Sequence, residues 1–206
     1  MADILPGLAG KKRRVALAAN LDVAEAMAAV RATGDYGDLL VPKPVRFAHW
    51  GEYLAARLKG FADDPVLAAD IPDLDAIVGR MNARLLALPD PEKCVVQGDI
   101  WPPNVMMDDD LRVTRLIDFS FTTRAGDTLM DLAAAVYFHD IANPHGPEDT
   151  RFLMDLIAAR HGTAVRDRLG LYAVWFAFSF AFNHEMTEVY AWCLGLIRML
   201  GRNLAV

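Results

Sequence analysis

Gln97-Gly98-Asp99-Ile100-Trp101-Pro102-Pro103-Asn104, followed by Ile117-Asp118-Phe119, is the stretch on which the reading of this chain turns. Pro102 and Pro103 fix two φ angles and keep the segment out of a helix, so Asp99 and Asn104 are held across a turn. Gly98 permits a tight backbone approach immediately before the Asp. Cys94-Val95-Val96 reads as a short strand entering the loop. Val105-Met106-Met107, a turn at Asp108-Asp109-Asp110 and the run from Arg112 to Ile117 read as a β-hairpin that returns Asp118 to the same place. The segment gathers two carboxylates and an amide. Such oxygens suit Mg²⁺, a hard cation, and a carboxylate in Asp99's position can take a proton.

Outward from this centre the pattern is helical. Upstream, Leu5 to Gly10 reads as a loop, Asp22 to Arg31 as a helix stopped by Gly34, and Gly37 to Pro44 as a connection. Trp50, Tyr53, Leu54 and Leu58 mark a helix closed by Gly60. Another runs from Leu74 to Leu88, with Ile77, Met81, Leu85 and Leu88 on one face and Pro89 and Pro91 as its stop. Downstream, helices are expected from Leu129 to His139, Pro147 to His161, Val165 to Asn183 and Thr187 to Asn203. Trp175, Phe176, Phe178, Phe180 and Phe182 are expected in the core. The fold class is α-rich α+β, with helices around one small β-hairpin and a single domain over residues 1–206.

An apolar fraction of 54% beside 23% charged residues marks a globular chain without a disordered tail. A net charge of −6 argues against nucleic acid, whose phosphates need clustered Lys and Arg. Lys11-Lys12-Arg13-Arg14 is the one basic run and reads as a solvated segment. The segment from Leu171 to Phe182 is too short for a bilayer, which needs about 20 apolar residues. Cys94 and Cys193 have no metal or redox spacing and fit a reducing compartment. With no signal peptide evident, a cytoplasmic protein with no membrane partner is expected.

The loop and hairpin, together with Gly126-Asp127-Thr128-Leu129-Met130-Asp131-Leu132-Ala133, resemble the aminoglycoside phosphotransferase and choline kinase-like family, which has a protein-kinase-like fold. The family's usual strings are His-Gly-Asp-Leu-His-Pro-Gly-Asn, Ile-Asp-Phe and Gly-Asp-Pro-x-x-Asp-Leu-Ala. The resemblance implies an ATP- or GTP- and Mg²⁺-dependent transfer of phosphate to a small-molecule hydroxyl. It implies Asp99 as catalytic base, Asn104 and Asp118 as metal ligands, and Gln97 and Asp131 as supports of the loop. Gln97 stands where the family has His, Trp101 replaces the second His, and Pro103 replaces a Gly. No oxygen ligand is lost by these changes.

The resemblance covers mainly the C-terminal lobe. Residues 1 to 21 are too few for the five-stranded nucleotide-covering lobe of a kinase-like fold and read as a loop or lobe remnant, with 22–206 as the helical lobe. The N-terminal β lobe is therefore expected to be missing and the protein to be a truncated form. A catalytically impaired binding or regulatory module is the alternative reading, and a metal-dependent hydrolase a weaker third. His184, Glu185, Glu188, Tyr190 and Trp192 would favour a cationic acceptor if they line its pocket, although an ordinary amphipathic helix is the plainer reading. His139-Asp140 reads as a surface pair at a helix end. A lobe lacking its partner surface would expose apolar area, so a homo-oligomer is also expected.

Overall fold

In chain order, the computed structural model, which describes residues 1, 4–141, 143 and 145–203, contains α1 (Gly10–Ala26), β1 (Tyr36–Asp38), β2 (Arg46–Phe47), α2 (Trp50–Ala62), α3 (Pro65–Asp70) and α4 (Leu74–Leu86). There follow β3 (Cys94–Val96), β4 (Val105–Met107), β5 (Val113–Leu116), β6 (Arg124–Gly126), α5 (Leu129–Tyr137), α6 (Gly146–His161), α7 (Val165–Phe180) and α8 (Thr187–Met199). The helix-rich α+β class expected from the sequence is the class observed. Among the described residues no helix is long and apolar enough to cross a membrane.

Helix α5 is the centre of the core, buried without interruption from Met130 to Val136. Small Ala133, Ala134 and Ala135 let α1 and α7 approach it closely, and α2 pairs with α4 on the far side of α7. Trp50 ties this core to the sheet: its indole N–H donates to the Tyr172 hydroxyl at 2.9 Å, which in turn donates to Asp127 at 2.7 Å. Gly126 is required beneath that ring, since a Cβ there would lie 2.3 Å from the indole edge.

The expected hairpin forms from β4 and β5, pairing Val105 with Leu116, and its turn is closed by Asp108, whose carboxylate accepts from the N–H groups of Asp110 and Arg112. A second sheet, of order β2-β1-β6-β3, contains the expected strand at Cys94–Val96, while β1, β2 and β6 were not legible in the sequence. Those three are two or three residues long, too short to show alternation, and Gly37 lies within the supposed connection. There a Cβ would meet the Val45 carbonyl oxygen at 2.1 Å.

Several expectations are corrected. The loop expected over Leu5 to Gly10 contains a 3₁₀ turn at Leu5–Gly7, and α1 begins at Gly10, so residues 10–21 are helical. Ala16, Leu17, Leu21 and Ala24 form its buried face. The helix expected from Asp22 to Arg31 is only its tail, followed by a 3₁₀ turn at Met27–Ala29. Arg13 leaves the solvated run Lys11–Arg14 and turns inward onto Asp149 of α6, because the helical repeat places it over the core. Gly60 does not end α2, and α3 was missed although Asp64 caps it by accepting from Val66 N–H at 2.9 Å. Trp175, Phe176 and Phe178 are buried as expected, whereas Phe180 is half-buried and Phe182 is 57% exposed beyond the end of α7.

Candidate functional site

The catalytic-loop candidates converge on the buried amide of Gln97. Its Nε2 donates to the carbonyls of Ile117 and Asp118 at 3.1 and 2.9 Å, and its Oε1 accepts from Asp99 N–H at 2.7 Å. One amide therefore joins the loop to the end of β5, as a residue that both donates and accepts can. Asp131, fully buried near the start of α5, accepts from the backbone N–H groups of Gln97 at 3.0 Å and Gly98 at 2.8 Å. Burial pushes its carboxyl up, against those two donors and the nearby Arg124 charge, which favour the anion. Gly98 has φ +79°, and a Cβ would meet the Thr122 carbonyl oxygen at 2.4 Å, so only glycine fits this turn.

Asp99 and Asn104 are joined across the loop. Asn104 Nδ2 donates to the Asp99 carbonyl at 2.9 Å and to its carboxylate at 3.0 Å. Pro102–Asn104 make a single 3₁₀ turn rather than irregular chain, a place where prolines sacrifice no needed N–H. With Nδ2 engaged, the Asn104 atom left for a cation is its oxygen. The Asn104 carbonyl accepts from Ile117 N–H at 3.0 Å, which sets the next residue, Asp118, beside the loop. Asp118 is exposed and has φ +56°, a left-handed conformation that Asp tolerates better than most residues.

Burial pushes the Asp99 carboxyl up to about 7, opposed by the Asn104 hydrogen bond and assisted by the Asp118 charge. All five residues singled out in the sequence, Gln97, Asp99, Asn104, Asp118 and Asp131, thus belong to one assembly. Asn104 oxygen and the Asp118 carboxylate form a sparse, hard donor set, which fits Mg²⁺ because that ion retains waters and takes further oxygens from phosphates. Among the described residues no cluster of three or more His, Cys, Asp or Glu forms a separate cation site.

A pocket of about 150 Å³ opens at Asp99, walled by Trp101, Phe138, Ile141, Phe180 and Met186. Beyond Trp101 and Phe138 lies a cavity of about 400 Å³ that reaches His139 and Arg13. Trp101, Phe138 and Ile141 went unrecognised in the sequence as site residues. Trp101 alone carried a signal, its place inside the loop motif.

His184 is bonded to Asp64 and Tyr190 donates to Asp70, both at 2.7 Å, while Trp192 packs edge-on against Phe138. Glu185 and Glu188 are exposed, and only Asn183, Met186 and Val189 of this segment line the Asp99 pocket. His139 is not a surface residue: it is 1% exposed.

Comparison with known proteins finds the same fold. Solved structures of a thermostable mutant of aminoglycoside phosphotransferase APH(4)-Ia are similar in fold. Its apo form aligns with TM-score 0.66 at 19% identity, covering 92% of this chain and 67% of that one. Its ternary complex with AMP-PNP and hygromycin B gives 0.65 at 19%, covering 92% and 66%. A complex with ADP and hygromycin B gives 0.66 at 18%, covering 94% and 67%. The chain thus spans about two-thirds of the length of these structures. No curated protein matches it. A family model described as the phosphotransferase enzyme family matches residues 2–172, most of the chain. The chain belongs to the phosphotransferase enzyme family.

Proposed function

We propose that this chain carries the catalytic loop of a phosphotransferase that moves the terminal phosphoryl group of ATP or GTP to a hydroxyl of a small molecule. Asp99 orients the acceptor hydroxyl and receives its proton as the oxygen attacks. Asn104 Oδ1 and the Asp118 carboxylate would hold Mg²⁺, whose chemistry is to neutralise charge on the phosphates. Gln97 and Asp131 hold the loop without touching substrate. The observation that carries this reading is the Asn104 amide, whose nitrogen orients Asp99 at the mouth of a pocket and whose oxygen is left for a cation. The nucleotide-bound structures with the same fold support it as well.

The test is calorimetry with Mg²⁺-ATP on the chain as it stands, beside ATP turnover with a panel of alcohols. Asp118→Asn should weaken Mg²⁺-ATP binding by about tenfold or more, equivalent to about 1.4 kcal/mol. Asp99→Asn should leave that binding intact and reduce turnover by about 10² to 10⁴, the usual contribution of a positioned base. A second reading is a kinase-like binding or regulatory module without turnover. It gains if binding is present and no alcohol in the panel is phosphorylated.

A further inference from the structure

A cavity of about 250 Å³ lies between α2, α7 and the segment leading into β6, and Phe180 lines both it and the pocket at Asp99. Two guanidinium groups converge on it, Arg57 from α2 and Arg124 from β6. Arg124 is 5% exposed and stacks 4.7 Å from the Trp175 ring centre, while Arg57 stacks 5.2 Å from that of Phe61. Arg124 Nε donates to the Thr122 carbonyl at 2.8 Å. Its Nη1 and the Nε of Arg57 are both buried, and neither has a hydrogen-bond partner among the described residues.

The nearby carboxylates are already committed. Asp38 faces Arg124 across the β1–β6 ladder, yet its oxygens accept from Val45 N–H and the Tyr53 hydroxyl at 3.0 and 2.7 Å. Asp131 is taken by the backbone of Gln97 and Gly98. Among the described residues neither Arg57 nor Arg124 has an ion-pair partner. Guanidinium does not lose its proton, so the two groups lining this cavity leave buried N–H donors without partners. A planar fork of donors matches the paired oxygens of a carboxylate or phosphate. Around the fork the walls are aromatic, with Phe121 and Phe182 56% and 57% exposed at the rim.

From this geometry we infer that the Arg57–Arg124 cavity binds a small organic anion, a carboxylate or phosphate group carried on a flat apolar body. The anion sits between the two guanidinium groups and the body against Phe121 and Phe182. This site is independent of the phosphoryl-transfer reading and requires no metal.

The experiment titrates the whole chain, in metal-free buffer, with benzoate, phenyl phosphate, inorganic phosphate and benzyl alcohol, read by calorimetry. Benzoate or phenyl phosphate should bind at least about tenfold more tightly than benzyl alcohol. Their order separates a carboxylate site from a phosphate site, and inorganic phosphate should be weaker than phenyl phosphate. Arg57→Met, on the less buried of the two arginines, should weaken the aromatic anions by about tenfold without altering the melting temperature. Should that variant unfold, protection of Arg57 and Arg124 from phenylglyoxal by benzoate, mapped by peptide mass spectrometry, supplies the same answer. Equal binding of benzyl alcohol and benzoate, undiminished anion binding in a folded Arg57→Met, or absence of protection would each overturn the inference.

Discussion

Asp131 does its work through two oxygen atoms. Each accepts one of two consecutive backbone N–H groups, those of Gln97 and Gly98, and the whole loop hangs from that grip. In Asp131→Asn one oxygen becomes an NH₂, so one loop N–H faces a donor inside a fully buried site. The variant should lose about 2 kcal/mol of stability in urea unfolding, since hydrogen bonds to charged groups are worth about 1.5–3 kcal/mol each and an unpaired buried donor adds a penalty. An unchanged midpoint would show that the carboxylate is not what holds the loop. At this scale the sequence was informative where spacing is local. Asp99, Asn104 and Asp118 could be placed together because a turn and a short hairpin leave few alternatives. Gln97 and Asp131 could be assigned only through the family resemblance. The Thr122 hydroxyl, which donates to the Gln97 carbonyl at 3.0 Å, could not be found, because Thr122 stands 25 positions from Gln97 and belongs to none of the motifs.

Between elements, the clearest long-range bond is the pairing of α1 with α6. Arg13 donates to both oxygens of Asp149, at 2.9 and 2.5 Å, and also to the Leu5 carbonyl, with both charged side chains largely buried. Asn143 adds a donor to Asp149 at 3.3 Å. Desolvating two charges offsets much of their attraction, so the pair itself adds little net stability, yet breaking it strands a buried carboxylate. Arg13→Met should therefore destabilise by about 3–5 kcal/mol, while Arg13→Met combined with Asp149→Leu should recover most of that loss. Thermal unfolding of the full double-mutant cycle measures it, and a double variant as unstable as the single one would sink the argument. This contact also explains why α1 escaped a reading by periodicity. A run of four basic residues looks solvated when the partner of one of them lies 136 positions away. The long amphipathic helices α4, α6 and α8 were legible to within a few residues, since their own apolar spacing defines them. In the four-stranded sheet β3 was legible, whereas β1, β2 and β6 were not, because only pairing with distant neighbours makes them strands.

For the molecule as a whole, His139 ties stability to pH. It lies at the end of α5, where α1 and α6 close over it, and Asn20 Nδ2 points at its Nε2 at 3.3 Å and at the Ala135 carbonyl at 3.5 Å. That second contact orients the amide, so Nε2 is the acceptor and the ring proton sits on Nδ1, buried without a partner among the described residues. Burial drives the imidazole from 6.5 down to about 4, with the Asp149 charge resisting and the Arg13 charge assisting. The sign follows from proton counting. Between about 6.5 and 4 the unfolded chain binds a proton at this position and the folded chain does not, so stability falls as pH falls through that window. From neutral pH to roughly pH 4.5 the loss from this one group is on the order of 2 kcal/mol, because each tenfold difference in proton affinity between the folded and unfolded chains is worth about 1.4 kcal/mol. Asp131, whose carboxyl is pushed upward by burial, contributes in the opposite sense and masks part of the slope in the native protein. The comparison that isolates His139 is therefore a difference between two chains. His139→Gln cannot titrate, and Asp131 acts equally in both. Urea unfolding of the native chain and of His139→Gln, repeated at intervals from neutral pH to roughly pH 4.5, should show the native chain losing about 2 kcal/mol more than the variant, with the divergence beginning near pH 6.5. Parallel curves would mean that His139 is protonated in the fold, and that the closure of α1 and α6 over α5 admits the charge.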